Sequence, residues 1–489
     1  MVEKEIRAPG LLQSLIPIIC LIALLALNVL LFGDDTLSGA NQIVLLLSAT
    51  IASIIAISLG HKWKDIRKSI VKSISSAMPS ILILLLIGSL AGTWLISGVV
   101  PALIYYGLKM INPTIFLFAA VLVSALVSVA TGSSWSTIAT LGIALLGIGK
   151  ALGFHEGLVA GAIISGAYFG DKMSPLSDTT NLAPAMAGTD IFTHIRYMIY
   201  TTGPSFSLAV IIFLIWGFTI DFADSTTNVE NVLVAIDNSF TITPWLFLVP
   251  GLLIAIIIMK VPPLPALLAR TLLGVIFALI FQPDIVRQVA GTDGSFWVAG
   301  YVGSLKAMFG EIGIQTNEPK INELLSTGGM AGMLNTIWLI LTAMVFGGVM
   351  ERGGMLHSIS MAIISRAKST VGLVSATAGT CLFFNATASD QYMAIVVPGR
   401  MFAKVYRERG FKPELLSRTL EDSATVTSVL IPWNTCGATQ SGVLGVSTWT
   451  YLPYCFFNIV SPIMTIIFAW LNIRIRRYKK DEKIVEFVD

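Results

Sequence analysis

Apolar stretches long enough to cross a lipid bilayer recur along the whole 489-residue chain, and this recurrence limits its fold more than any single motif. A helix of about 20 apolar residues spans the roughly 30 Å hydrocarbon core of a membrane. Hydrophobic residues make up 55% of the chain and charged residues 12%, with a mean hydropathy of +0.81, whereas soluble domains carry about 25% charged residues. The sequence therefore predicts an all-α integral membrane protein rather than a soluble enzyme.

The apolar runs predict about ten membrane crossings, two of them interrupted by polar residues. The crossings are placed at 11–32, 42–60, 77–98, 156–190 (interrupted), 203–220, 244–259, 265–281, 334–350, 413–447 (interrupted) and 449–472. Two further apolar pairs meet at the polar tips TGSSWS and NATASDQ, and we interpret them as re-entrant hairpins; they are 115–131 with 135–150, and 371–386 with 390–405. Only the polar tips argue against two full crossings in each pair.

Basic residues predict the orientation of the chain. With a cytoplasmic N-terminus, the cytoplasmic segments hold 25 Lys and Arg residues and the external segments hold five, as the positive-inside rule requires. The predicted external loops GDDTLSGANQ and DFADSTTNVENVLVAIDNSF contain no Lys or Arg. We therefore expect both termini to be cytoplasmic, with the surroundings of Asp65 and Lys479 inside and those of Asp35 and Asp224 outside.

Two parts of the chain repeat the same order of features. A shift of 257 residues places Gly153 on Gly410 and Pro175 on Pro432. Each part has a crossing, a hairpin with a polar tip and a crossing broken at a proline, and five crossings separate their starts, so the repeat is predicted to be inverted. The expected organisation is two N-terminal helices (1–76), repeat 1 (77–200), linking helices with an external loop (201–333), repeat 2 (334–472) and a cytoplasmic tail (473–489).

The stretch GDKMSPLSDTTN (170–181) interrupts the fourth crossing. Pro175 lacks an N–H and clashes with the preceding turn, so the helix should end near Asp171 and leave backbone groups unpaired. Unpaired backbone is tolerated at this depth only where it faces protein or a water-filled cavity. Small hard cations prefer oxygen ligands, and we predict a Na⁺ site with Asp171 and Asp178 as its carboxylates. Its candidate residues are Asp171, Lys172, Ser174, Ser177, Asp178, Thr179, Thr180 and Asn181.

The hairpin tips and the second break supply further candidates, because inverted repeats place binding sites near the membrane midplane. These candidates are Ser133, Ser134, Asn385, Thr387, Asp390, Asn434 and Thr435. We expect the two tips to meet there, through Ser133, Ser134, Asn385 and Asp390. For Asp390 the alternative is a role as a helix cap in the hairpin.

Several charged positions have two interpretations. The two carboxylates at the first break either form one site, where Na⁺ and a proton exclude each other, or belong to a solvated loop. Lys172 is either a counter-ion inside the membrane or a snorkelling side chain. Glu421 and Asp422 either line an inner vestibule or pair with Arg418 or Arg400.

Three long stretches resemble the NhaC family of bacterial sodium/proton antiporters. They are GAYFGDKMSPLSDTTNLAPAMAGTDIFTHIRYM, TGSSWSTIATLG and LEDSATVTSVLIPWNTCGATQSGVLGV, and the resemblance extends from about 77 to 472. It implies a secondary transporter of the bacterial cytoplasmic membrane that exchanges internal Na⁺ for external H⁺, with inverted repeats, two hairpins and two broken helices. Some members of this family couple these ions to malate, lactate or amino acids.

Two functions therefore stay open: a Na⁺/H⁺ antiporter, and a Na⁺- or H⁺-coupled transporter of a small organic acid or amino acid. A channel is disfavoured because broken helices suit alternating access. An enzyme is disfavoured because the breaks offer no paired metal ligands and no serine with a partnered base. We expect no cofactor and no nucleic acid partner; the partners are the lipid bilayer, Na⁺, H⁺ and the organic substrate of the alternative. A homodimer is one option for the oligomeric state.

Overall fold

The computed structural model describes residues 6–32, 38–220, 225–259, 261–292, 294–316 and 319–478. The regular secondary structure of the first half of the described chain consists of helices alone. Its α-helices are α1 (Leu11–Phe32), α2 (Ala40–Ser58), α3 (Trp63–Ile96), α4 (Val99–Met110), α5 (Phe116–Thr131), α6 (Ser134–Thr137), α7 (Ile143–Ala151), α8 (Glu156–Met173), α9 (Asp178–Ala187), α10 (Ile191–Thr219) and α11 (Ser225–Ser239). A 3₁₀ turn (Pro113–Ile115) precedes α5, and a π-helical segment (Ile138–Gly142) connects α6 to α7.

The second half adds further helices and one small antiparallel pair of strands. The helices are α12 (Leu248–Ile258), α13 (Pro263–Phe281), α14 (Pro283–Ala290), α15 (Phe296–Phe309), α16 (Pro319–Leu324), α17 (Gly329–Gly332), α18 (Leu334–Arg352), α19 (Met355–Arg366), α20 (Thr370–Thr387), α21 (Gln391–Glu408), α22 (Pro413–Leu420), α23 (Thr435–Leu444), α24 (Thr448–Tyr451) and α25 (Phe456–Trp470). The strands are β1 (Ile312–Gly313) and β2 (Ser326–Thr327). Pro244–Phe247, Ser428–Leu430 and Leu452–Tyr454 are 3₁₀ turns, and Glu421–Thr425 is π-helical.

Eight helices in the described ranges are long and apolar enough to cross a membrane, and two bent pairs raise the number to ten if each pair is one span. The eight are α1, α2, α3, Pro113–Thr131, α10, α13, Gly329–Arg352 and α20. The pairs are Val229–Ser239 with Pro244–Leu252, bent by 94°, and Thr448–Tyr454 with Phe456–Trp470, bent by 55°. The all-α multi-pass fold is therefore confirmed.

The ten spans differ in membership from the ten predicted crossings. Pro113–Thr131 and α20, expected as hairpin arms, are long and apolar enough to cross a membrane. Neither interrupted crossing contains such a helix among the described residues. Length and composition cannot distinguish a full crossing from a re-entrant arm. The re-entrant hairpins and the inverted repeat therefore stay predictions.

Both predicted interruptions are present. Helix α8 ends at an extended Ser174 (φ −85°, ψ 129°), directly before Pro175, and α9 begins three residues after this proline. In the second break, α22 continues into the π-helical Glu421–Thr425 and a 3₁₀ turn, and the chain is then extended at Ile431 (φ −104°, ψ 114°), directly before Pro432. Proline acts locally on the helix that precedes it, which is why the sequence located both breaks.

The predicted external loop 221–240 is helical for most of its length, because the chain from Ser225 to Ser239 forms α11, and its external placement stays a prediction. Val232 and Ile236 lie one turn apart on this helix and are 5% and 1% exposed. The Thr, Asn and Asp residues before and after this short apolar run concealed its buried face. Asp35, Asp224 and Lys479, which the orientation prediction names, lie outside the described residues, as does most of the predicted cytoplasmic tail.

Helix α8 is almost wholly buried and carries the first break into the interior of the protein. Its glycines allow this burial. A Cβ atom on Gly170 would lie 2.5 Å from the carbonyl oxygen of Ala125 in α5, and one on Gly161 would lie 2.5 Å from the carbonyl oxygen of Tyr454. Small residues at one-turn spacing let the backbones of membrane helices approach closely. Helix α8 is therefore packed closely against α5 near its break and against the Leu452–Tyr454 turn nearer its start.

Candidate functional site

Asp171 lies in the last turn of α8 and is only 8% exposed. Each of its carboxylate oxygens accepts a hydrogen bond from a serine hydroxyl. Ser134 donates to Oδ2 and Ser177 donates to Oδ1, both over 2.6 Å. Ser134 begins α6 at the first hairpin tip, and Ser177 caps α9 on the far side of the break. One buried carboxylate therefore connects the hairpin tip to both halves of the broken helix.

Two other predicted ligands satisfy the backbone of the break itself. The hydroxyl of Thr180 donates to the carbonyl oxygens of Asp171 (3.1 Å) and Lys172 (3.0 Å). The Asn181 amide donates to the carbonyl oxygen of Pro175 over 3.0 Å. Carbonyl groups at an interrupted helix end need such partners when no further turn follows. These side chains therefore hold the shape of the break.

Asp178, the second predicted carboxylate, has different surroundings from Asp171. It begins α9 and is exposed, and its contact with the Tyr392 hydroxyl, at 3.5 Å, is at the limit of a hydrogen bond. Thr179 reaches the pocket only indirectly, because its hydroxyl lies 3.1 Å from the hydroxyl of Ser177. In the described part of the chain no hydrogen bond joins Asp178 to the Asp171 pocket.

The first hairpin tip packs directly against the break. A Cβ atom on Gly132 would lie 2.6 Å from Cβ of Leu176, and the N–H of Leu176 donates to the hydroxyl of Ser174 over 3.2 Å. The hydroxyl of Ser133 accepts from the N–H of Ser136 over 3.2 Å and so caps α6. Ser133 therefore orients the short helix that presents its neighbour to the pocket.

The second hairpin tip is joined to the second break in a similar way. The side-chain amide of Asn434, which caps α23, donates to the backbone and side-chain oxygens of Asn385 over 3.0 and 3.2 Å. The Asn385 amide in turn donates to the carbonyl oxygen of Ala424 (2.7 Å) and to the hydroxyl of Thr427 (3.0 Å). Two amides therefore bind this tip to both sides of the break.

The remaining candidates of this tip cap a helix or make hydrogen bonds to the backbone. Asp390 is 4% exposed and accepts a hydrogen bond from the N–H of Met393 over 2.9 Å, which makes it the cap of α21. The N–H of Thr435 donates to the carbonyl oxygen of Ser389 (2.9 Å), and the Thr387 hydroxyl donates to a carbonyl one turn earlier in α20 (2.7 Å). No hydrogen bond between described residues connects the candidates of this tip with those of the first.

Lys172 forms an ion pair with Asp422 of the π-helical segment, and both side chains are 0% exposed. The Thr201 hydroxyl donates to Oδ2 of Asp422 over 2.8 Å, and the Lys172 ammonium also donates to the hydroxyl of Ser461 over 3.1 Å. Buried charges are tolerated when they are paired and hydrogen-bonded. The pair connects α8 to the second broken helix.

The alternative in which Asp422 pairs with Arg418 or Arg400 is wrong. The guanidinium of Arg418 lies 4.5 Å from the ring centroid of Tyr197, and its nitrogens have no hydrogen-bond partner among the described residues. Arg400 is exposed. Lys172 is a counter-ion inside the protein rather than a snorkelling side chain, and its partner is Asp422.

Sequence reasoning missed two residues next to these groups and gave a third no role of its own. Thr201 and Ser461 are single hydroxyls within apolar helices, so nothing local marked them. Glu421 was considered only together with Asp422, yet it is 0% exposed and neither of its carboxylate oxygens has a hydrogen-bond partner in the described part of the chain. Two adjacent acids within a membrane segment are a functional signal in their own right.

The sequence model of the Na⁺/H⁺ antiporter family matches residues 10–168 and 166–473, which is almost the whole chain. The chain belongs to the Na⁺/H⁺ antiporter family. It is a Na⁺/H⁺ antiporter with multiple membrane-spanning helices, and the ions it carries are Na⁺ and H⁺.

Curated relatives place this antiporter in the NhaC family, as the sequence motifs indicated. The Na⁺/H⁺ antiporter NhaC of Alkalihalophilus pseudofirmus is 36% identical over 434 residues, which cover 88% of this chain and 90% of that protein. The malate-2H⁺/Na⁺-lactate antiporter of Bacillus subtilis is 35% identical over 469 residues, which cover 96% of each. The solved structure of Neisseria gonorrhoeae MtrF aligns with 88% of this chain and 94% of that one, at 16% identity and a TM-score of 0.38.

Proposed function

We propose that Asp171 is the carboxylate at which this antiporter binds Na⁺, and that a proton competes with Na⁺ for it. The supporting observation is one buried carboxylate between two hydroxyls, Ser134 and Ser177, that come from different elements. A hydroxyl is both a donor and an acceptor. The two serine hydroxyls therefore donate to the carboxylate when no cation is bound. When Na⁺ binds, their oxygen lone pairs can coordinate it.

In this proposal Asp178 attracts cations without binding them tightly. It is exposed and lies at the start of α9, beside the pocket that holds Asp171. An exposed carboxylate raises the local cation concentration through its field, and salt screens this effect. The predicted ligands Ser174, Thr179, Thr180 and Asn181 maintain the shape of the break around the site.

Exchange follows because one carboxylate cannot hold Na⁺ and H⁺ together. Each ion lowers the apparent affinity for the other by the same factor, as linkage requires. We infer alternating access between the two membrane faces, in which the breaks and hairpin tips open in turn. Cytoplasmic Na⁺ leaves in exchange for external H⁺ across the bacterial cytoplasmic membrane, and both termini of the chain are cytoplasmic.

The experiment that tests this proposal compares Asp171→Asn with Asp178→Asn in proteoliposomes that contain a pH-sensitive dye. Asp171→Asn should abolish Na⁺-driven proton movement, whereas Asp178→Asn should retain it with a weaker apparent Na⁺ affinity. Na⁺ binding to the wild-type protein at two pH values should be weaker at the lower pH. Binding that does not depend on pH, or wild-type exchange by Asp171→Asn, would overturn the assignment.

A second function is coupling to a small organic acid, as in the malate/lactate relative. The observation that favours it is Arg418, a fully buried cation with no hydrogen-bond partner among the described residues. A guanidinium binds a carboxylate through two parallel hydrogen bonds. Exchange assays with labelled malate, lactate and amino acids, each with and without Na⁺, decide between ion exchange alone and coupled transport.

A further inference from the structure

The Glu421 carboxylate is a buried ionisable group that the proposed Na⁺ site does not use. It is the first residue of the π-helical Glu421–Thr425 segment and is 0% exposed. The Thr425 hydroxyl lies close to it, yet neither group makes a hydrogen bond of ordinary geometry with any described residue. Single π-helical turns within helices occur frequently at functional sites.

The charges around Glu421 do not balance when every group is ionised. Lys172, Asp171 and Asp422 are the charged groups that act on it. The ammonium of Lys172 is already neutralised by Asp422. The Asp171 carboxylate, in contrast to that of Glu421, accepts hydrogen bonds from two serine hydroxyls. Among the described residues Glu421 has no ion-pair partner and no hydrogen-bond donor of ordinary geometry, so its ionised form is by far the more costly of the two to bury.

The other helices that pack against this segment hold no basic residue that is paired with Glu421 in the part of the chain that the structure describes. Helices α20 and α25 contain no charged residue. Helix α9 contributes Asp178, which is exposed. Helix α21 contributes Arg400, Lys404 and Glu408, which are exposed, and Arg407, which donates to the carbonyl oxygen of Ala187. Arg418 of α22 lies over the ring of Tyr197. In the described part of the chain no basic side chain is paired with Glu421, so a transported proton can neutralise it.

We propose that Glu421 holds a proton of the transport cycle and releases it when Na⁺ binds at Asp171. The inference rests on the proposed function, in which Asp171 is the Na⁺ site. No hydrogen bond or ion pair in the described structure joins Glu421 to Asp171, Ser134 or Ser177, so the two sites are separate. They communicate through charge: Na⁺ beside Asp171 stabilises the ionised Glu421, and a proton on Glu421 removes a negative charge that attracts Na⁺.

The surroundings of Glu421 suit a proton better than a second Na⁺. Small cations require several oxygen ligands around them. The oxygens close to Glu421 include that of the Thr425 hydroxyl and those of Asp422, and Asp422 is already paired with Lys172. A single carboxylate oxygen is sufficient for a proton.

The test measures proton release when Na⁺ is added to purified protein in weakly buffered detergent with an indicator dye. The amount of bound ²²Na⁺ is measured in parallel. Glu421→Gln should still bind Na⁺, but it should release about one proton fewer per bound Na⁺ than the wild-type protein at a pH where Glu421 is protonated. Glu414→Gln is the matched control, because this buried carboxylate of α22 is paired with Arg476 over 3.1 Å. It should release as many protons as the wild-type protein.

Equal proton release by Glu421→Gln and the wild-type protein would overturn the proposal, and so would loss of Na⁺ binding in a variant that still folds by thermal unfolding. Glu421→Asp, which keeps the titrating group, should restore the proton that Glu421→Gln loses. The measurement also separates this inference from the Asp171 assignment. If Asp171→Asn binds Na⁺ normally, the assignment of the Na⁺ site to Asp171 is wrong. The role of Glu421 is decided separately, by the difference in proton release between Glu421→Gln and the wild-type protein.

Discussion

Lys172 and Asp422 are 250 residues apart in the chain, yet they form an ion pair that is completely buried. Lys172 lies in the last turn of α8, before the first break, and Asp422 lies in the π-helical segment before the second. The pair therefore connects the two broken helices, each on the N-terminal side of its break. A movement of one break relative to the other must carry both residues together or separate two charges in a medium of low dielectric constant.

We predict that removing one partner of this pair strongly destabilises the antiporter. Lys172→Met leaves Asp422 buried without a cation, and breaking a buried pair in this way costs about 3–5 kcal/mol. Thermal unfolding in detergent should show a large decrease in the unfolding temperature. The double variant Lys172→Met with Asp422→Leu should recover much of the loss, because well-packed apolar residues replace buried ion pairs at little cost.

The control for this prediction is the pair of Arg352 and Asp65, which lies at 3.5 Å with side chains 38% and 34% exposed. Arg352→Gln should change stability by less than about 1 kcal/mol, since water screens partly exposed pairs. If Lys172→Met has no larger effect than Arg352→Gln, the buried pair is not a structural link between the breaks.

The two breaks could be located from the sequence, whereas their partners could not. Pro175 and Pro432 disrupt the helix on which they stand, so their effect is visible in a short window of sequence. The partner of Lys172 depends on how helices from opposite ends of the chain pack. The sequence offered Arg418 and Arg400 as partners of Asp422, because local proximity was its only guide.

The same distinction separates Asp171 from Asp178. Both carboxylates lie within one polar segment, so the sequence assigned them to one site. The turn at Pro175 instead buries Asp171 between two serines and leaves Asp178 exposed at the start of α9. Which side of a short turn faces the interior depends on the packing of the hairpin tip at Gly132, and no local pattern encodes that contact.

We predict that Gly170→Ala disturbs the packing of α8 against α5. Its Cβ atom would lie 2.5 Å from the carbonyl oxygen of Ala125, so one backbone must move. Overpacking of this kind costs about 1–3 kcal/mol, and thermal unfolding in detergent should show the loss. Gly379→Ala is the matched control: nothing lies within 4 Å of its Cβ position in α20. That variant should be stabilised by roughly 0.5–1 kcal/mol, because glycine weakens a helix interior.

The orientation of the chain yields a labelling prediction. A single cysteine in place of Asp65 should resist an impermeant thiol reagent added to intact cells and react after the cells are opened. A cysteine in place of Asp224 should react in intact cells. The expectation follows from the concentration of Lys and Arg in the predicted cytoplasmic segments. Labelling of Asp65→Cys from outside would reverse the orientation.

The Asp171 pocket gives a prediction that separates two adjacent serines. Ser134 donates directly to the carboxylate over 2.6 Å, whereas Ser133 only caps α6 over 3.2 Å. Hydrogen bonds to charged groups contribute about 1.5–3 kcal/mol. If the Ser134 oxygen becomes a Na⁺ ligand, Ser134→Ala should weaken apparent Na⁺ affinity roughly ten- to a hundredfold, as that free energy implies.

Ser133→Ala should leave Na⁺ affinity within about threefold of wild type, because it removes a cap worth about 1 kcal/mol of helix stability and no ligand. Both affinities are measured from the Na⁺ dependence of proton movement in proteoliposomes at one pH. Ser134→Thr keeps the hydroxyl and should retain most of the affinity. Equal losses in Ser133→Ala and Ser134→Ala would show that the tip acts only by its shape. A loss confined to Ser134→Ala, recovered in Ser134→Thr, indicates that its hydroxyl oxygen takes part in binding the ion.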